Sequence, residues 1–229
     1  MSLREHSIYD CIINNALNYS DEIALVSGDL RLTYGEVPLH VNSLARGLLK
    51  TGFEKGDRIG VLLNNCAEYA LLLAACTRIG LITVCLNPRT SADEMRKMLE
   101  QAKPKALIFQ KSYEQQADEL RELGIHRQLY CIDEASILSS SFDQLLDEDP
   151  SPLTESQPAV DDGWLIIPTA AVDGVPKGAL LSQRNLMASV DVHLHHFGRE
   201  AIKGHLVVLP IFHVMGLTSA WATFISGGK

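Results

Sequence analysis

The chain has 229 residues, 46% of them apolar, and a formal charge of −8. Its length suits one large domain or two small ones, and its apolar fraction allows a sizeable core. The negative charge excludes a broad nucleic-acid surface but leaves room for a local basic pocket.

The first strong periodic signal is VPLHVNSLARGLLKTG. It places Val37, Val41, Leu44, Ala45, Leu48 and Leu49 on one helical face, with Gly52 as a left-handed terminator. RIGVLL follows the turn EKGD and has strand character. CAEYALLLAACTRI (66–79) is apolar nearly all round, as in a helix packed between a sheet and other helices, and Gly80 ends it. Its greasiest run, YALLLAAC (69–76), is far shorter than the about 20 apolar residues a membrane span needs, so no transmembrane segment is predicted. LITVCL is a β-branched strand. In SADEMRKMLEQA, Ser91 and Glu94 have the spacing of a capping box.

ALIF (106–109) predicts a strand, SYEQQADELREL (112–123) an amphipathic helix before Gly124, and QLYCID (128–133) a strand. From about Ser139 to Asp162 the composition turns to Ser, Asp and Pro, predicting a linker or surface loop. WLIIPT is a strand, SQRNLMASVDVHLHHF a helix, LVVLPI (206–211) another strand, and GLTSAWATFI the start of a helix. This rhythm predicts an α/β fold: mostly parallel sheets with helices on both faces. The expected organisation is a first α/β segment over residues 1–150 and a second α/β unit beginning in 151–229.

The five cysteines, Cys11, Cys66, Cys76, Cys85 and Cys131, are odd in number and form no C-x-x-C pair. They predict reduced thiols rather than disulfides or a zinc site, and hence a cytoplasmic setting. Cys66, Cys76 and Cys85 have apolar neighbours and read as core residues. MSLREHSIYD lacks the apolar run of a secretory signal. His193 and His196 of HLHHF share a helical face, but no ligand set of known metal spacing accompanies them, so a solvated face is expected and no metal site is assigned. Asp161 and Asp162 read as a turn before the strand at Trp164, and DEDP (147–150) as a solvated loop.

PTAAVDGVPKGALLSQRNL (168–186) carries the chemistry. Strand, Gly-rich turn, then helix is the general form of an anion site. Backbone N–H groups converge on phosphate oxygens and a lysine adds charge. Gly174 and Gly178 give the turn conformational freedom, Pro176 stiffens it, and Lys177 is its cation. Against this, Asp173 at about 4 Å would repel a phosphate charge by about 4 kcal/mol at an effective dielectric of 20. Ala170, Ala171 and Val172 offer only backbone donors. Gly178 follows Lys177 where a Walker loop needs Ser or Thr. Physically, the segment is either a phosphate loop or an ordinary surface turn.

Four segments in order change the balance. LTYGEV (32–37) with VNSLARGLLKTGFEKGDRIGVLLNN, CTRIGLITVCLNPRTSADEM (76–95), the loop itself, and VVLPIFHVMGL (207–217) together resemble AMP-forming acyl-CoA synthetases over essentially the whole chain. The family's phosphate loop is commonly Thr-Ser-Gly-Thr-Thr-Gly-x-Pro-Lys-Gly. Thr169, Gly174, Pro176, Lys177 and Gly178 match it, whereas Ala170, Ala171, Val172 and Asp173 depart from it, and Cys85 stands where the family often has Pro. The resemblance implies activation of a carboxylic acid, fatty or aromatic, by ATP with Mg2+ to an acyl-adenylate, then transfer to coenzyme A. Thr169 to Lys177 would cradle the ATP phosphates. His213 would sit beside the acyl pocket near the reacting carboxylate, with Phe212 and Gly216 shaping that wall. Asn87, Pro88 and Arg89 favour the acyl-CoA branch over amino-acid-activating domains.

Family members continue well past residue 229. The chain is therefore expected to be the N-terminal part of a longer enzyme whose Mg2+ ligands, adenine site and mobile C-terminal domain lie elsewhere. Surface meant to meet that remainder would permit self-association. Two other readings stay open. One is a non-catalytic adenylate-fold binding protein, supported by the altered loop; the other is an acyl-AMP ligase that delivers to a carrier protein.

Overall fold

A computed structural model of the chain describes residues 3–122, 128–136, 139–155, 157–169, 177–198 and 203–229. Helix α1 (Ile8–Asn18) comes first, then a two-stranded antiparallel hairpin of β1 (Ile23–Ser27) and β2 (Leu30–Thr33). The sequence reading has no counterpart for these elements, although Ser7 and Asp10 form a capping box at the start of α1. Helix α2 is Val37–Lys50, β3 Arg58–Leu62, α3 Ala67–Ile79, β4 Ile82–Cys85, α4 Ala92–Ala102 and β5 Ala106–Phe109. Then come α5 (Glu114–Glu122), β6 (Gln128–Cys131), β7 (Ser140–Ser141), β8 (Gly163–Pro168), β9 (Gly178–Ser182), α6 (Gln183–Phe197) and α7 (Val214–Ile225).

Seven strands form one sheet in the order β7-β6-β5-β3-β4-β8-β9, with every pair parallel except β8–β9. The expected mostly parallel α/β fold is what forms. Residues 1–150 and 151–229 contribute to the same sheet through the β4–β8 pair. Alternate residues of each strand enter opposite cores. Ile59 and Val61 of β3, Ala106 and Ile108 of β5, and Cys85 of β4 pack with α1, α2, α3, α6 and α7. Leu62, Leu107, Phe109 and Val84 pack with α4 and α5. Burial on both faces explains why these strands read as continuous apolar runs rather than alternating ones.

The local signals acted as chemistry requires. Gly80 caps α3 in the left-handed region at φ 75°. Ser91 and Glu94 close a reciprocal capping box at α4, worth about 1 kcal/mol. Trp164, 1% exposed, donates its indole N–H to the Leu73 carbonyl at 3.1 Å and ties β8 to α3. Asp161 and Asp162 do occupy the turn before β8, paired with Arg184 and Lys55.

Three expectations need correction. The segment 139–162 is not simply a linker. Its start adds β7 to the sheet edge, and Phe142, Leu145 and Leu153 are buried. It is strapped onto the helices by polar bonds. The Ser43 hydroxyl donates to Asp147 O, Asn42 to Pro150 O at 3.1 Å, and Lys50 pairs with Asp147. Buried Arg78 donates to Leu153 O at 2.7 Å and Glu155 O at 2.9 Å, with its guanidinium 5.2 Å from the Tyr9 ring centroid. The acidic stretch 147–150 is thus bonded to α2 rather than merely solvated. Second, no strand forms at 206–211. Val208 N–H donates to Leu206 O at 2.9 Å, a γ-turn that bends the chain out of strand geometry. Third, the loop after β8 leads into β9, not directly into a helix.

Gly47 marks the closest approach of the strap to α2. A Cβ there would lie 1.9 Å from the Leu145 carbonyl oxygen, so the backbone of one segment would have to move. Gly47→Ala is expected to lower the unfolding free energy by about 2–3 kcal/mol in a urea titration. Gly204→Ala, with nothing within 4 Å of the added methyl, should stay within about 0.5 kcal/mol. Burial pushes the Cys76 and Cys85 thiols up to about 12, and both are 0% exposed. Both are therefore expected to resist an aromatic disulfide reagent at pH 8 in the native protein and to react once it is unfolded; rapid native-state labelling of either would contradict this packing.

Candidate active site

The carboxyl ends of the parallel strands carry the polar groups. Chain connections leave β3 and β5 in opposite directions, so a switch point lies between them, the usual place for a ligand crevice. Asn64 follows β3 there. Its backbone N–H and Nδ2 donate to Gln110 Oε1 at 3.3 and 3.2 Å, and its Oδ1 accepts from Tyr113 OH at 2.8 Å. Past β4, Asn87 Oδ1 accepts from the Arg89 N–H at 3.0 Å, an Asx turn. The Asn of the Asn-Pro-Arg motif therefore has a structural task that any Asx oxygen could perform.

At the end of β8, Thr169 closes the hairpin. Its N–H and its hydroxyl both donate to Lys177 O, at 2.8 and 3.1 Å. The expected phosphate-loop residues Ala170, Ala171, Val172, Asp173, Gly174 and Pro176 lie outside the described residues. Lys177 is exposed, and its amine makes no ion pair among the described residues. Gly178 pairs with Pro168 in the hairpin, and a Cβ on it would lie 2.4 Å from Ile166 Cγ2. The glycine is required by packing, whatever binds nearby.

The intervening β9 changes the electrostatics expected of the loop. Helix α6 begins where Ser182 pairs with Gly163, at the amino end of β8. At about 3.3 Å per residue, the length of β9 sets the helix N-terminus roughly 16 Å from its first residue, Gly178. That terminus is satisfied locally: Ser182 Oγ accepts from Asn185 N–H, and Asn185 Oδ1 accepts from Ser182 N–H at 2.9 Å. The α6 dipole, strongest within its first turn, is thus kept away from the Lys177 end of the hairpin. Lys177 and loop N–H groups would have to hold an anion without it.

The second cluster stands at the start of α7. His213 is the exposed N-cap residue, its ring 4.7 Å from that of buried Phe212 and tilted by 52°. Its N–H donates to Pro210 O at 3.1 Å. One turn on, a Cβ at Gly216 would fall 2.4 Å from Pro210 O and 2.8 Å from Leu209 O. The His-x-x-Gly spacing thus lets residues 209–210 lie directly on the first turn of α7. Asn65, next to Asn64 at the end of β3, bonds this same segment three times. The sequence reading gave Asn65 no role; its only signal was a polar pair directly after an apolar strand.

The structure thus joins Thr169 with Lys177, and Phe212 with His213 and Gly216. Among the described residues, no hydrogen bond, ion pair or ring contact joins the two groups. Both lie on the carboxyl-end side of the sheet, one after β8 and one held from the end of β3. On α6, His195 and His196 are exposed, and burial lowers the His193 pKa below the usual imidazole value. Among the described residues, no group of three or more His, Cys, Asp or Glu side chains could hold a metal ion, and no helix is long and apolar enough to cross a membrane.

Comparison with known proteins follows this geometry. The chain is 30% identical over 221 residues to 4-coumarate–CoA ligase 3 of Arabidopsis thaliana, covering 91% of this chain and 38% of the relative. It is 26% identical over 196 residues to 2-succinylbenzoate–CoA ligase of Oceanobacillus iheyensis, covering 86% of this chain and 38% of the relative. The chain thus spans less than half the length of these curated relatives. A solved structure from Rhodopseudomonas palustris, assigned as a long-chain-fatty-acid CoA ligase, superposes with a TM-score of 0.89 at 29% identity. It covers 99% of this chain and 57% of its own. The family model described as AMP-binding enzyme matches residues 13–229, and the chain belongs to that family.

Proposed function

We propose that the full-length protein is an AMP-forming acid–thiol ligase. A carboxylate oxygen attacks the α-phosphorus of ATP, forming the acyl-adenylate and releasing pyrophosphate. The thiol of coenzyme A then displaces AMP to give the thioester. The observation that carries this reading is the closed β8–β9 hairpin. It presents the Lys177 amine, free of any ion pair among the described residues, beside the loop matched to the family's phosphate loop. Relatives named as ligases of 4-coumarate and 2-succinylbenzoate support an aromatic acid, and the Rhodopseudomonas protein's name supports a fatty one.

Each residue's role follows from its surroundings. Lys177 would neutralise charge developing on the pyrophosphate leaving group. Thr169 would hold the hairpin closed, because its hydroxyl proton is already given to Lys177 O. That leaves phosphate binding to loop N–H groups and Lys177. His213, exposed on a backbone fixed by Pro210 and Gly216, would face the reacting carboxylate, with Phe212 as its apolar support. Magnesium would arrive with ATP as part of the substrate, and no residue of this chain is assigned to it. The competing reading, an adenylate-fold protein that binds without activating, draws on the absence of side-chain donors at Ala170, Ala171 and Val172. An acyl-AMP ligase differs only in its acceptor, a phosphopantetheinyl carrier instead of coenzyme A.

ATP–pyrophosphate exchange on the full-length protein, with magnesium and a panel of aromatic and fatty acids, decides between these readings. Exchange is expected with at least one acid. Lys177→Ala should slow it by about 100-fold, the usual cost of removing one group that stabilises developing charge. A folded protein inactive with every acid would instead favour the binding reading. Residues 1–229 expressed alone are expected not to form AMP; turnover by that piece, its length verified by mass, would contradict this.

A further inference from the structure

The side-chain amide of Asn65 bridges β3 to backbone 142 to 146 residues further along. Nδ2 donates to Val207 O at 3.0 Å and to Leu209 O at 2.9 Å, and Oδ1 accepts from the Ile211 N–H at 2.9 Å. The match is stoichiometric: the two amide hydrogens meet two carbonyls, and the amide oxygen meets one N–H. No strand pairs with this segment among the described residues, and its neighbours Leu206 and Val208 are 83% and 73% exposed. Packing anchors this segment at Ile211, buried in the core, and at Val207 beside it, while Asn65 supplies three side-chain hydrogen bonds to its backbone. What that backbone positions is specific. Pro210 O accepts the His213 N–H and lies against Gly216, so a rotation at 207–211 is passed straight to His213.

We propose that Asn65 is a positioning residue that fixes the 207–211 backbone and through it the placement of His213 at the candidate active site. Its kinetic consequence rests on the ligase reading; its structural consequence does not. Asp could still accept from the Ile211 N–H but would set a carboxylate against two carbonyl oxygens, and Ala would leave all three backbone groups without this partner.

The test uses the full-length protein with isotope-labelled histidine, the His213 imidazole signal being identified by its loss in His213→Gln. In Asn65→Ala that signal is expected to move, and the KM for the acid to rise about tenfold, while the KM for ATP changes less than twofold. A mere loss of folded fraction would lower kcat and leave both KM values unchanged. A His213 signal at its original position, or an unchanged KM for the acid, overturns the proposal. If Asn65→Ala does not fold, Asn65→Asp, which keeps the acceptor and loses both donors, should move the same signal; an unmoved signal there also overturns it. In the unaltered protein the Ile211 amide should be protected from hydrogen exchange, and exchange at the free-peptide rate would overturn the clamp without any substitution. Absence of pyrophosphate exchange in the unaltered protein defeats the ligase reading alone, and the resonance and exchange measurements still decide the clamp.

Discussion

The rest of the molecule depends on the burial of its central strands on both faces. Side chains of β3, β4 and β5 alternate between two apolar cores and leave no solvent-facing side for polar chemistry. Apart from Thr83 of β4, buried with its hydroxyl unpartnered among the described residues, polar groups gather at the strand ends, where backbone ladders stop and free N–H and C=O groups need partners. At the carboxyl ends those partners are Asn64, Asn65, Asn87, Gln110 and Thr169. Each bonds backbone or side chains of another segment or turn. The candidate site is assembled from these terminations, which is why its residues are scattered in the sequence and clustered in the fold.

The same constraint explains the strap over α2 and α3. Helix α3 is buried nearly all round, so the cationic Arg78 in its last turn cannot reach water directly and is 4% exposed. Among the described residues it makes no ion pair with a carboxylate; Nη2 donates to the carbonyls of Leu153 and Glu155 and the Tyr9 ring faces its charge, while Nε and Nη1 have no hydrogen-bond partner. Burying a guanidinium costs several kcal/mol unless its donors are met. Leu153 and Glu155 are drawn to α3 because their carbonyls meet part of that cost. This is a polar reason for the order of a segment whose composition reads as a loop.

Legibility in the sequence followed the reach of the interactions. The elements from Val37 to Cys131 were readable because periodicity, capping boxes and terminal glycines act within a few residues: Ser91 with Glu94, and Gly80 after Ile79. Most of the corrections involve partners outside the local window. Ser140–Ser141 becomes a strand only because β6 offers an edge. Gly178–Ser182 becomes one because β8 folds back on it, in a stretch where the glycine-rich turn suggested a direct entry to the helix. The apolar run 206–211 has strand composition, yet its carbonyls at 207 and 209 go to Asn65. Of the candidate site, Thr169, Lys177, Phe212, His213 and Gly216 were singled out through a motif, and Asn65 was not, because an amide at a strand end announces nothing about a partner beyond residue 200.

The motif residues divide into two kinds. Gly178 and Gly216 are demanded by packing: a methyl at either would collide with Ile166 or with Pro210. Thr169 closes a hairpin and Asn87 closes a turn. Each of these four has a structural task independent of catalysis, so their match to the family pattern is weak support for activity. Lys177 and His213 are different. Both are exposed, and neither side chain makes a hydrogen bond or ion pair among the described residues; His213 has only the ring contact with Phe212. Folding gains little from either. Their match to the family pattern is therefore the stronger ground for the ligase proposal. This is why the altered loop, with its side-chain donors reduced and its lysine kept, is proposed as a phosphate site rather than read as one that has been dismantled.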